Sequence, residues 1–99
     1  MEGINMILAN IQVFETSDYG QFKKLNGNRS LNESQIDGII NSINEVGYQP
    51  VPILVNEKME IIDGQHRLEA AKRLSIPIYF IIKVGAGAKE VMQLNLRRG

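Results

Sequence analysis

Residues 61–71, Ile61-Ile62-Asp63-Gly64-Gln65-His66-Arg67-Leu68-Glu69-Ala70-Ala71, read as a short apolar strand that runs through a glycine directly into a helix. Geometry gives that junction a chemical meaning. The first amides of a helix have no carbonyl of their own helix to bond, the helix dipole adds partial positive charge there, and a glycine allows close approach to the backbone. An anion such as phosphate fits such a place. His66 and Arg67 fall in the first turn, where two successive cations oppose the dipole by roughly 0.3–1 kcal/mol each unless an anion offsets them. Arginine can hold phosphate oxygens through two parallel hydrogen bonds. The alternative is that Asp63 simply caps the helix and the two side chains are solvated.

Working outward, the helix that begins here runs from Gln65 to Leu74 on a narrow stripe of Leu68, Ala71 and Leu74, and Pro77 is expected to stop it. Ile78 to Val84 is a β-branched and aromatic run typical of a buried strand, and Gly85-Ala86-Gly87 resets the chain. Lys89 to Arg98 starts another helix with Val91, Met92 and Leu96 as candidate core contacts. On the N-terminal side, Ile53 to Val55, the turn Asn56-Glu57-Lys58 and Met59 to Ile62 form a hairpin, entered in extended conformation through Pro50 and Pro52.

The clearest helix lies further upstream. Ile36, Ile39, Ile40, Ile43 and Val46 recur at three-and-four spacing, Asn32 can cap the start, and Gln35 can complete a capping-box exchange. Gly47 ends it, and Gly38 within it suggests close packing. Tyr19 to Arg29 is a loop closing on the turn-forming Asn26-Gly27-Asn28-Arg29, in which Tyr19 and Phe22 serve packing rather than a site. Before it, Ile7 to Phe14 reads as a strand ending at Thr16-Ser17-Asp18. The whole is an α+β domain, a small mixed sheet with helices packed on it.

Composition removes several functions. A chain of 99 residues is one domain that buries about 60–65% of its unfolded surface, and 43% hydrophobic with 22% charged residues is an ordinary globular balance. There is no cysteine and one histidine, which excludes disulfides, a thiolate nucleophile and a Cys- or His-x-x-x-His zinc site. No apolar run approaches the roughly 18–20 residues that span a bilayer, so a cytoplasmic protein with no membrane partner is expected. The formal charge of zero hides a division: residues 1–50 carry three basic and six acidic side chains, residues 51–99 eight basic and five acidic. The basic excess lies in the half that holds the candidate phosphate site.

The sequence resembles the ParB/sulfiredoxin superfamily, and does so across most of its length. Gly64, Arg67 and Ala70 match the ParB nucleotide-binding motif Gly-Glu-Arg-Arg with its following Ala, and His66-Arg67 matches the sulfiredoxin Gly-Cys-His-Arg motif. The Asn28-Arg29 loop, the amphipathic helix ending in Gly47, Pro52-Ile53-Leu54-Val55 and the Pro77 to Ile82 strand follow in ParB order. The resemblance implies a triphosphate, CTP or ATP with Mg²⁺, held by Gly64, Gln65, His66 and Arg67, with Arg29 closing over it. It further implies a DNA-associated protein of plasmid or phage type that reaches DNA through regions outside this chain, with a homodimer as its assembly. The last helix has no stop signal before Gly99, so an N-terminal fragment of a longer protein is expected.

Departures from the pattern narrow the chemistry. Gln65 stands where sulfiredoxins carry their attacking cysteine, which excludes that reductase route. Leu94 and Asn95 stand where CTP-binding ParB proteins place the Glu-Asn pair that holds Mg²⁺, and leucine offers that ion no oxygen. Two other readings stay open: a metal-dependent nuclease using Glu60, Asp63 and Glu69, and a non-catalytic interaction module, which Gln65 and Leu94 favour.

Overall fold

A computed structural model of the chain describes residues 5–25 and 30–98. Its elements are β1 (Phe14–Thr16), a 3₁₀ turn (Tyr19–Gln21), α1 (Glu33–Val46), β2 (Ile53–Val55), β3 (Ile61–Asp63), α2 (Gln65–Leu74), β4 (Ile78–Ile82) and α3 (Ala88–Arg98). The sheet order is β1-β4-β2-β3. β2 is parallel to β4 and antiparallel to β3, and β1 is antiparallel to β4 with Phe14 opposite Phe80 and Thr16 opposite Ile78. After the 3₁₀ turn the chain has crossed to the far edge, where the Lys23 amide donates to the Met59 carbonyl and the Lys23 carbonyl accepts from Ile61.

Alternation along the strands divides the core between two faces. On one face Ile53, Val55, Ile78 and Phe80 are buried under Ala71 of α2, with Leu68, Tyr19 and Phe22 packed around them. Phe80 is the ring hub there: Phe14 stacks on it and Phe22 meets it edge-on, both at 5.3 Å between centroids. On the other face Ile62, Ala86 and Val91 form a second cluster with Leu25, Leu54 and Leu94. The mixed sheet with helices is the expected α+β class. Tyr19 and Phe22 do pack, as expected of aromatic side chains in a small domain, and do not stand apart to frame a base.

Several sequence expectations need correction. The first strand is Phe14–Thr16, not Ile7 to Phe14, and Ile7 to Val13 form no regular element and are exposed, unpaired with any described strand. Val46 belongs to the helical repeat yet is 67% exposed, as the last residue of α1. Gly38 marks no close contact: a Cβ there would meet nothing within 4 Å. Helix α2 has the expected bounds Gln65–Leu74, but Ser75 and not Pro77 stops it: the left-handed backbone of Ser75 (φ 56°) lets the Ser75 and Ile76 amides bond back to the last turn. Met92 is exposed on α3, whereas Val91 is buried. The side chain of Leu96 and the Asn26–Arg29 turn lie outside the described residues.

The hairpin turn holds more than turn chemistry. Asn56 is 3% exposed; its Nδ2 donates to Glu60 Oε1 (2.8 Å) and to the Ala86 carbonyl (3.0 Å), and its Oδ1 accepts from the Lys58 and Glu60 amides. One side chain thus shapes the hairpin and ties it to the loop before α3. That loop ends in a reciprocal cap, the Gly87 amide donating to Glu90 Oε2 at 2.7 Å, and this bond is the main cause holding the Glu90 carboxyl below its ordinary range.

Asn56→Ala should cost about 2–3 kcal/mol in urea unfolding, since it strands buried groups on two loops. Asn56→Asp should recover only part of this, because it keeps the acceptor and loses both donations. Glu90 supports α3 above the unfolded carboxylate value of about 4.3 and loses that support as pH falls through its depressed folded value. Wild type should therefore lose more stability than Glu90→Gln between about pH 5 and pH 2.5 in parallel denaturation curves.

Candidate functional site

The junction of β3 and α2 is built around Gly64. Its backbone is left-handed (φ 108°, ψ 20°), and a Cβ placed on it would fall 2.5 Å from Ile53 Cγ2. Any side chain would collide with the core of β2, so the glycine is demanded by the packing of the turn itself, before any ligand is considered. The first intrahelical bond is Leu68 N–H to the Gly64 carbonyl (3.0 Å), so the amides of Gln65, His66 and Arg67 precede the ladder at the positive end of α2. Asp63 is the last residue of β3 and Gly64 takes the cap position, which sets aside Asp63 as the cap.

Arg67 and His66 leave that turn in different directions. Half-buried Arg67 curls back under the glycine, and its Nη2 donates to the Pro52 carbonyl at 3.1 Å just before β2. It also lines a cleft of about 470 Å³ whose other walls include Ile39, Ser42, Gly47, Tyr48 and Val51. Gly38 opens onto the same space, which is what its missing side chain provides. Tyr48 forms a fixed wall, donating its hydroxyl to the Pro77 carbonyl at 2.8 Å, and burial pushes its phenol above the ordinary range.

His66 faces α1. Its Nε2 accepts the Asn32 amide at 3.0 Å while Asn32 Oδ1 accepts the Gln35 amide at 3.2 Å. An accepting Nε2 belongs to the neutral imidazole protonated at Nδ1. The cap of α1 is thus shared between helices: Asn32 caps as expected, but its own amide goes to His66 and not to the Gln35 side chain. Neither first-turn side chain is the solvated residue of the alternative reading. Arg73, one heptad after His66, makes the second tie, a bidentate contact to Glu33 at 2.7 and 2.8 Å, with its Nε on Glu69 at 2.9 Å. Both partners are exposed, so the pair positions more than it stabilises. Arg73 holds the Glu33 carboxyl below its ordinary range. The spacing of His66, Glu69 and Arg73 by three and four was the available signal for this polar seam.

Not every expected residue joins the site. Arg29 lies outside the described residues. Leu94 packs with Ile62, Ala86 and Val91, so the position where the family's Mg²⁺ glutamate would stand is part of the hydrophobic core and does not fit that ion. The nuclease carboxylates are dispersed, Glu60 on Asn56 and Glu69 on Arg73, and among the described residues no three His, Asp or Glu side chains are grouped as a metal would need. Among the described residues no helix is long and apolar enough to cross a membrane.

No protein-family model matches the chain, and no curated protein matches it. Solved structures do. The C-terminally truncated chromosome-partitioning protein ParB of Caulobacter crescentus, complexed with CTP-gamma-S, is 20% identical with a TM-score of 0.66 over 88% of this chain. This chain spans about half of it, 52%. A Pnob8-like ParB-N domain is also 20% identical, with a TM-score of 0.53 over 78% of this chain and 31% of its own. Sulfiredoxin from Arabidopsis thaliana is 29% identical with a TM-score of 0.54, covering 87% of this chain and 98% of its own. The mixed four-stranded sheet, its glycine turn into α2 and these three likenesses place the chain in the ParB/sulfiredoxin-like superfamily.

Proposed function

We propose that this ParB-like domain binds a nucleoside triphosphate, CTP or ATP, with its phosphates at the N-terminus of α2 and its nucleoside directed into the adjoining cleft. The observation that carries the reading is the position of Arg67, which belongs both to the first turn after Gly64 and to the cleft wall. Backbone amides of Gln65 to Arg67 would receive the phosphate oxygens, Arg67 would supply charge, and His66 Nδ1–H a further donor. Arg29 enters through the family resemblance alone. The cleft volume lies within the range of about 300–1,000 Å³ usual for small-molecule sites. The ParB neighbour solved with CTP-gamma-S supports a nucleotide as the ligand class. Because Leu94 offers no oxygen, we assign this chain no metal-dependent hydrolysis. In this reading the domain serves a cytoplasmic, DNA-associated protein whose DNA contacts lie outside these residues.

The second reading, an interaction module of the same fold without a nucleotide, has a specific observation in its favour. Arg67 and His66 are both already engaged by the protein, at Pro52 and Asn32.

Isothermal titration of CTP, ATP and GTP with Mg²⁺ separates the two. Binding by wild type is expected, and Arg67→Ala should weaken it about 10- to 150-fold, the worth of a charged hydrogen bond of about 1.5–3 kcal/mol. Arg67→Lys, with its melting temperature recorded, separates loss of charge from loss of the Pro52 contact. No heat with any nucleotide at about 5 mM, a Kd weaker than the roughly 4 kcal/mol class, would overturn the proposal in favour of the module.

A further inference from the structure

The stretch before β1 is a strand by sequence that pairs with no strand among the described residues. Residues 5–13 contain no charged side chain, and Ile7, Ala9, Ile11 and Val13 alternate so that an extended chain would carry them all on one face. Met6, Ile7 and Leu8 are 85%, 95% and 97% exposed, and Ile11 and Val13 are more than half exposed. The register explains why the chain cannot cover them by extending its sheet. Phe14 opposes Phe80 and Thr16 opposes Ile78, so Ile11 would fall opposite Lys83 and Ile7 opposite Gly87. By then β4 has ended at Ile82 and the chain has turned at Gly85 towards α3. Among the described residues, the outer edge of β1 also has no partner.

We infer that this segment is an interface for a second copy of the chain, the two copies pairing antiparallel through residues 7–13, which lead into β1. A two-fold pairing centred on Asn10 sets Ile7 opposite Val13 and Ala9 opposite Ile11, an unbroken apolar face, and sets Asn10 opposite Asn10. A segment without charges faces its own copy with no like-charge repulsion, and it lacks the lysines that natural edge strands use to prevent such pairing. Of the exposed large apolar side chains, only Ile7, Ile11 and Val13 of each copy share the paired face, and pairing edge to edge covers their flanks and not their outer surface, so the contact is small. That is the small end of specific interfaces, so the dimer is weak and concentration-dependent. This inference is independent of nucleotide binding.

Sedimentation velocity from about 1 μM to about 500 μM should show the mass doubling towards a dimer endpoint, as expected for an interface of this size. Ile11→Lys should keep the chain monomeric at the top of that range with an unchanged melting temperature, because the side chain is already in solvent in the monomer. Asn10→Cys gives the chain its only thiol at the two-fold axis, where antiparallel Cα atoms stand about 4.5–5.5 Å apart, within disulfide reach. Mild oxidation should link it to dimer at least ten times faster than Glu45→Cys on α1. A monomer at all concentrations, a dimer untouched by Ile11→Lys, or equal linking rates for the two cysteine variants would overturn the inference.

Discussion

The contact of Gly64 with Ile53 is the constraint on which this small domain turns. Strand β2 is the inner strand that touches both β3 and β4, and Ile53 is fully buried on it. The chain leaving β3 must pass that side chain at a distance no Cβ allows and must turn with positive φ to begin α2. Everything after it follows from that start: α2 lies over the sheet through Ala71, its first turn delivers Arg67 to the cleft, and its outer side meets α1. A glycine that looks like a concession to a ligand is first a requirement of the core. The proposed ligand use is compatible with that requirement, since the turn that clears Ile53 is also the start of α2.

Much of this was legible in the residues because local and tertiary demands agree. Gln65–Leu74 was readable because Gly64 and Pro77 bracket the stripe of Leu68, Ala71 and Leu74, and α1 because four isoleucines share one stripe. Where the two demands part, pattern misleads. Ile7 to Val13 alternates like a strand, yet pairing needs an opposite chain and β4 stops too soon. Asn56 looks like an ordinary turn residue; its burial depends on the Ala86 carbonyl thirty residues away, which no local pattern announces. For the site, the types and spacing of Gly64, His66 and Arg67 were visible, but their directions were not. His66 serves the cap of α1 and Arg67 the Pro52 carbonyl, choices set by helix placement.

The charge division along the chain acquires a physical location in the same way. An acidic N-terminal half and a basic C-terminal half meet at Glu33 and Arg73, with Glu33 in the first turn of α1 and Arg73 in the last turn of α2. Each charge therefore sits at the helix end whose dipole favours it, and the pair joins elements forty residues apart.

His66 and Arg73, seven residues apart on α2, grip the adjacent residues Asn32 and Glu33. Seven residues are two turns of an α-helix, so the spacing works as a gauge of helix length. One residue inserted between them would rotate the second grip by about 100° and carry it about 1.5 Å along the axis, releasing one end of the clasp. Substitutions along the outer side of α2 are thus of modest consequence to the joint, whereas its count of residues is fixed, and α1 with α2 would have to be exchanged between related domains as one piece.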